Sequence, residues 1–336
     1  MLDISVEESL EYTPEVARAT EHLYPKVSHL VTEAEWQLYA PLIVAINRLK
    51  KEKNAAILAH NYQAPELFWC ISDVTGDSLQ LAREAAESSA DVLVMCGVHF
   101  MAETSKVLNP EQVVLIPDPE AGCSLAESIT AQDVRDLRKA HPGVPVVTYV
   151  NTSAAVKAEC DICCTSSNAV KVVEALGVPR VIFVPDGHLG KYVASQTDVE
   201  IIGWDGMCIV HDEFRPSDMA ALRAAHPGIE VLVHPECRKE VQDVADSIGS
   251  TSQLHRYIAE NSPKKVALIT ECTMAGNLSV AFPETEFIQP CSLCPYMKKI
   301  TLEKVYRSLK TLSPQVDIDP EVAARARRSL QAMLDI

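Results

Sequence analysis

Arg138-Lys139-Ala140-His141-Pro142-Gly143-Val144 returns 85 residues later as Arg223-Ala224-Ala225-His226-Pro227-Gly228-Ile229. In each copy an amphipathic run (131–140, 217–225) stops at His-Pro-Gly and a short apolar run follows (146–150, 230–233). Proline and glycine just past a periodic stretch end a helix, so each copy reads helix, turn, buried strand. The strand then ends in polar residues, Tyr149-Val150-Asn151 in one copy and His234-Pro235-Glu236 in the other. His60-Asn61-Tyr62, after the apolar run 55–59, fits a third copy. A Ser/Thr cluster follows each time: Gly76-Asp77-Ser78, Cys164-Thr165-Ser166-Ser167 and Gly249-Ser250-Thr251-Ser252. A second apolar run ends in Cys96-Gly97-Val98-His99, Pro185-Asp186-Gly187-His188 and Thr270-Glu271-Cys272. A third β-like segment is expected to run into Cys123, Cys208 and Cys294, spaced by 85 and 86 residues.

Further out, strands are expected at 92–95, 113–116, 181–184 and 266–269, and helices at 78–88, 168–176 and 252–261. Short apolar strands alternating with helices predict an α/β chain with parallel sheets. The period is too long for a solenoid. It predicts three similar small α/β/α sandwich domains around a pseudo-threefold axis: 39–126, 127–212 and 213–297, with a helical arm at 1–38 and C-terminal helices at 298–336. Open α/β sheets bind ligands at their strand C-termini, so the polar strand ends predict one central site.

The 336 residues are 47% hydrophobic and 23% charged, with a net charge of −16. That excess of acid argues against nucleic acid or an anionic membrane surface as partner, since both need a basic footprint. No apolar run approaches the ~18 residues of a membrane helix. Met1-Leu2-Asp3-Ile4-Ser5-Val6-Glu7-Glu8 lacks the pattern of a signal peptide, so the protein reads as cytoplasmic. Eleven cysteines are then conspicuous, because a reducing cytosol disfavours structural disulfides.

Three thiolates, one per repeat, can hold a [4Fe–4S] cluster with one iron left open, or a zinc ion with an open position, or be three buried thiols without metal. Cys291-Ser292-Leu293-Cys294 is an isolated C-x-x-C and a candidate redox pair. Cys160, Cys163 and Cys164 lead into a helix and read as buried; Cys70, Cys96, Cys237 and Cys272 read as packing residues. No radical-type C-x-x-x-C-x-x-C, dinucleotide G-x-G-x-x-G or P-loop is present. The Ser/Thr clusters are N-caps by residue type, and three at equivalent positions also suit anion binding at helix N-termini. His60, Tyr62, Tyr149, Asn151, His211, His234 and Glu236 supply donors, acceptors and proton-transfer groups.

At these residues the chain resembles the quinolinate synthase (NadA-type) family, from about Ala40 to Met297. The carrying motifs are Ala59-His60-Asn61-Tyr62-Gln63, Gly76-Asp77-Ser78-Leu79, Gly97-Val98-His99-Phe100-Met101-Ala102-Glu103 and Glu120-Ala121-Gly122-Cys123-Ser124-Leu125. They continue with Tyr149-Val150-Asn151-Thr152-Ser153-Ala154, Pro185-Asp186-Gly187-His188-Leu189-Gly190 and Cys208-Ile209-Val210-His211-Asp212-Glu213. Val233-His234-Pro235-Glu236, Gly249-Ser250-Thr251-Ser252 and Cys294-Pro295-Tyr296-Met297 complete the set.

The resemblance implies a [4Fe–4S] cluster on Cys123, Cys208 and Cys294, acting as Lewis acid. It implies condensation of iminoaspartate with dihydroxyacetone phosphate to quinolinate, phosphate and two waters. It also implies a functional link to an L-aspartate oxidase or aspartate dehydrogenase. By motif, Glu236 would be the general base, Tyr62 would transfer protons in later steps, and Tyr149 and Asn151 would orient substrate. His60, His211, His234, Ser78, Ser166, Ser250 and Thr251 would bind carboxylate or phosphate oxygens. Some members carry C-x-x-C-x-x-C near the C-terminus; here Met297 stands at the last position, and a Cys291–Cys294 disulfide would remove a ligand. A different reading is a non-catalytic iron–sulfur redox sensor; a third is a zinc hydro-lyase.

Overall fold

The computed structural model describes residues 10–336; the N-terminal residues read above for a signal peptide lie outside the described residues. Three four-stranded sheets carry the fold. The first comprises β1 (Ala55–His60), β2 (Val74–Gly76), β3 (Val92–Cys96) and β4 (Val113–Leu115). The second comprises β5 (Val146–Tyr149), β6 (Ile162–Cys164), β7 (Arg180–Val184) and β8 (Glu200–Gly203). The third comprises β9 (Glu230–Val233), β10 (Ser247–Ile248), β11 (Lys265–Ile269) and β12 (Glu286–Ile288). Their orders are β2-β1-β3-β4, β6-β5-β7-β8 and β10-β9-β11-β12, one topology used three times, and every pairing is parallel.

The repetition extends to single side chains. Asp73, Asp161 and Asp246 each accept the backbone N–H of a first-strand residue, Ile57, Val146 and Val231, at 2.7–2.8 Å. Each is also paired with a cation from the preceding helix: Lys50, Arg138 and Arg223. The helix carrying Lys50 is Glu33–Glu52, so it occupies in the first repeat the place of Ala131–Ala140 and Pro216–Ala225 in the others. Gly143 and Gly228 sit at φ +79° and +80°, a left-handed turn that a side chain would strain. That requirement explains why His-Pro-Gly is written twice.

The central strands bury their side chains on both faces, for example all of Val92–Cys96, as parallel strands between helices must. The edge strands are only two to four residues long, and of them only β4, expected at 113–116, stands out as an apolar run. One expectation needs correcting. The last strand of each repeat does not run into its cysteine; β4, β8 and β12 end at Leu115, Gly203 and Ile288, and an irregular loop carries the chain on to Cys123, Cys208 and Cys294. In the loop, backbone N–H groups that a strand would commit to its ladder are free to turn to each sulfur.

The C-terminal helices tie the repeats together. Leu302–Thr311 lies on Glu33–Glu52, and Pro320–Leu334 on β6 and Ala154–Lys157. Between them, Val316 donates its N–H to the Val114 carbonyl at 2.8 Å, extending the first sheet. Among the described residues no helix is long and apolar enough to cross a membrane.

Candidate active site

The first strand of each sheet delivers its C-terminal end to one cavity. His60 is the last residue of β1, Tyr149 the last of β5, and His234 follows β9. These line the cavity together with Tyr62, Ser78, Asn151, Ser166, His211, Glu236, Thr251 and all three cysteines, Cys123, Cys208 and Cys294. Ser250 is not among the lining residues; its hydroxyl accepts the Gln253 N–H and caps the helix Thr251–Asn261. Ser166 does not open its helix, which begins at Ala169; its hydroxyl lies 3.4 Å from His234 Nε2.

The three cysteine loops are locally alike. Each sulfur accepts backbone N–H groups from the second and third residues after it: Leu125 and Ala126, Val210 and His211, Tyr296 and Met297. A turn of helix follows each: Ser124–Glu127, His211–Glu213 and Met297–Lys299. N–H groups aimed at sulfur favour thiolate over thiol. Without a cation, burial opposes this and pushes Cys123 up to about 12, with Cys208 and Cys294 also raised.

Hydrogen bonds close the loops into a ring. Ser124 bonds the Met207 carbonyl and Ile209 N–H, Ser292 bonds Glu213, and Tyr296 bonds Glu127. Of the free cysteines described, these three are the ones not fully buried. The donor set therefore suits a thiolate-bound metal group. A second, overlapping set is Cys208, His211 and Glu236, whose ligand atoms lie within 4.8 Å of one another.

The Cys291–Cys294 pairing is not what forms. Cys291 is bridged to Cys272, with Cα atoms 4.9 Å apart, and Cys294 is free. Cys272 N–H donates to the Ser292 carbonyl at 3.2 Å, which lays the 291–294 loop along the end of β11 and turns Cys294 to the cavity. Cys272 is thus half of a bridge and not simply a packing residue.

Two turns fix histidine tautomers. Tyr62 N–H donates to His60 Nδ1 at 3.2 Å, and Glu236 N–H to His234 Nδ1 at 3.3 Å. A nitrogen that accepts carries no proton, so both rings hold theirs on Nε2. Burial lowers His60 to about 4 and His234 to about 3, the latter helped by His211. Both are neutral donors at pH 7. Their folded values lie below the ordinary 6.5, so the unfolded chain binds more protons as pH falls. Stability is therefore expected to be full above about pH 6.5 and to fall progressively towards pH 4. Thermal unfolding followed from pH 7.5 to 4.5 checks this; a Tm unchanged between pH 7 and 5 would contradict it.

Glu236 is 3% exposed. Burial alone would raise its carboxyl, but His211 and His234 beside it, with hydrogen bonds from His211 and Tyr149, outweigh that and hold it well below the carboxylate range. Tyr149 O–H donates to Glu236 Oε1 at 2.5 Å and His211 Nδ1 stands 3.0 Å from Oε2. Burial, with Glu236 adding to it, keeps the Tyr62 and Tyr149 phenols protonated. Asn151 Oδ1 is buried with no partner, an unfilled acceptor on the cavity wall.

Sequence reasoning missed three acids here. Asp77 lines the cavity and caps the helix Ser78–Glu87. Asp186 does not line the cavity but has no exposed surface, its carboxyl raised by burial and then by Glu236. Glu271 lines the cavity and pairs with Lys298 at 3.1 Å. The signal for Asp186 and Glu271 was present, since both sit at repeated strand ends.

The family model for quinolinate synthetase A protein matches residues 44–335. The chain belongs to the quinolinate synthetase A family. Relatives named quinolinate synthase include one from Sinorhizobium medicae, 54% identical over 97% of this chain and 91% of its own length. One from Caulobacter vibrioides is 55% identical over 97% and 90%, and one from Xylella fastidiosa 56% identical over 88% and 87%. The three-sheet layout agrees with membership of the quinolinate synthetase A family, which is a family of enzymes.

Proposed function

We propose that the chain is a quinolinate synthase, condensing iminoaspartate with dihydroxyacetone phosphate and releasing phosphate and two waters. The observation that carries this reading is the ring of three equivalent cysteine loops around one cavity that also holds the ionised Glu236. Cys123, Cys208 and Cys294 would hold a [4Fe–4S] cluster. Its open iron, when the cluster is bound, supplies a Lewis acid for hydroxyl or carboxylate oxygen.

Both substrates are anions, yet no Lys or Arg is among the lining residues. Binding falls to neutral donors. Ser78 and Thr251 are the first residues of their helices, where backbone N–H groups are free. His60 and His234 add Nε2–H groups, and the Ser166 hydroxyl adds a donor. Asn151 places its amide for a substrate N–H or O–H. Ser250 acts behind them by holding the Thr251 helix end. Val98, Phe100 and Met101 form an apolar wall that excludes water.

Glu236 is assigned as the base that takes a carbon-bound proton, being ionised and held by two donors. Tyr149 orients it through their shared hydrogen bond. Tyr62, protonated at neutral pH, serves proton transfer in the later steps. An aspartate-oxidising enzyme, an L-aspartate oxidase or aspartate dehydrogenase, would supply the unstable imine.

The test is anaerobic incubation with dihydroxyacetone phosphate and freshly generated iminoaspartate, followed for quinolinate and phosphate. Equal amounts of both are expected; phosphate without quinolinate, or neither, would sink the reading. A second reading, a zinc hydro-lyase, is favoured by the Cys208–His211–Glu236 set alone. It predicts activity that survives loss of iron and follows bound zinc.

A further inference from the structure

The chain carries a net charge of −16, and its cavity, lined by no Lys or Arg, holds an ionised Glu236 and is proposed to take two anionic substrates. One cation stands directly behind the cavity wall. Lys157 ends the helix Ala154–Lys157 and has no exposed surface. Its Nζ lies over the ring of Phe100, 5.3 Å from the centroid, and Phe100 is part of the apolar wall. The same Nζ donates to the carbonyl of Thr152, the residue after Asn151. The helix Pro320–Leu334 packs on this short helix, and Ser329 Oγ donates to the Lys157 carbonyl at 2.9 Å.

A lysine is almost never fully buried unless it is paired, and among the described residues no carboxylate is paired with this one. The acid that acts on it, Glu103, is held elsewhere: Oε2 accepts the Ala154 N–H at 3.0 Å, and Oε1 is 4.0 Å from His99 Nδ1. What faces Nζ is a carbonyl oxygen and the negative face of an aromatic ring, and both attract an ammonium. Among the described residues no group donates to Nζ, so a neutral amine would leave its lone pair without a partner. Burial lowers the ammonium from its ordinary value, and Cys163 and Glu103 work against that. The lysine that acts on His60, Lys298, is neutralised by its pair with Glu271 at 3.1 Å. Lys157 is left with a charge that no ion pair cancels.

We propose that Lys157 is the buried counter-charge for the anionic substrates: its field reaches the cavity through the Phe100 ring and favours a doubly charged phosphate ester over a neutral ketone of the same shape. The inference rests on the proposed reaction and adds to it a specificity-determining residue that touches no substrate. The field is strong because the ring and the apolar residues beside it keep water from screening it. Salt screens a buried charge far less than a surface lysine. A cation one side chain behind the wall also draws an anion in without an ion pair that would hold phosphate after the reaction.

Two measurements test it. The first is equilibrium binding to the anaerobic holoenzyme, with no second substrate and so no turnover. Dihydroxyacetone phosphate, inorganic phosphate and neutral dihydroxyacetone are compared on wild type and on Lys157→Met of unchanged iron content. Methionine keeps most of the length of the side chain and drops its charge. Both anions should bind about tenfold more weakly to the variant, the scale of one buried charge acting across a side chain, and the neutral ketone should bind within about twofold of wild type. Lys157→Gln takes the place of methionine if the methionine variant does not fold. A lysine that only holds the fold would weaken all three ligands alike or none of them, and either result overturns the proposal. The second measurement is a neutron structure of the wild-type holoenzyme. Three deuterons on Lys157 Nζ are expected; two overturn the proposal whatever the enzyme makes. Wild-type protein that binds dihydroxyacetone phosphate yet makes no quinolinate sinks the functional reading alone, and the binding ratio and the neutron result still decide the role of the charge.

Discussion

Glu236→Gln lowers turnover by about two to four orders of magnitude, the usual span for losing a general base, while iron and sulfide stay at wild-type levels. Glutamine keeps the shape of the side chain, and its amide oxygen can still accept from either Tyr149 or His211, which bond separate oxygens of the carboxylate. It cannot take a proton from carbon. The fold should be indifferent, because the residue lies at the end of β9 in a turn whose hydrogen bonds come from the backbone: Glu236 N–H to His234 Nδ1, Cys237 N–H to the His234 carbonyl. The measurement is kcat beside metal content on the same preparation. A protein that merely senses redox state through its cluster would not notice this substitution in its spectrum or its partner response. A turnover within threefold of wild type would remove Glu236 as the base.

Cys123→Ala, Cys208→Ala and Cys294→Ala each abolish quinolinate formation and cut bound iron and sulfide by most of their value. Three thiolates leave one iron open; two leave two irons without protein ligands, and the loops offer no substitute. The remaining free cysteines described are buried within the fold, with Cys96 pushed up to about 12 by burial. They cannot reach the cavity without unpacking it. Cys291→Ser is the control, since Cys291 is bridged to Cys272 and supplies no free thiol. Iron, sulfide and the visible absorption band, measured anaerobically on all four variants, check the set. Full cluster in any one of the three alanine variants would break the equivalence of the loops.

Much of the fold was legible because the decisive strands are fully apolar and the helices between them are amphipathic. The run 131–140 was read to the residue, and 230–233 likewise. Apart from 113–116, the edge strands were not, because stretches such as Ser247–Ile248 and Val74–Gly76 are too short to show a period. They exist only through pairing with β9 and β1, which is tertiary information. The cysteine segments were misread as strands for the opposite reason: Met207-Cys208-Ile209 has β-forming side chains, but its chain path is set by N–H groups turned to sulfur.

The site shows the same division. Residues at strand ends could be found, because the 85-residue period marked them and the family motifs coincide with them. Lys157 carried no such mark. A lysine on a short helix reads as exposed until the Phe100 ring and the helix Pro320–Leu334 are seen to close over it. The Cys272–Cys291 bridge was hidden likewise, since a separation of 19 residues carries no spacing signal. The neutral state of His60 and His234 depends on burial, which no single residue type announces.

The central claim is that three repeated loops build one three-thiolate site for an open iron–sulfur cluster. Iron and acid-labile sulfide counted per chain, on protein purified without oxygen, test it most directly. About four of each is the predicted result. Zinc at one per chain, or a folded chain that takes up no metal when offered iron and sulfide, would contradict it.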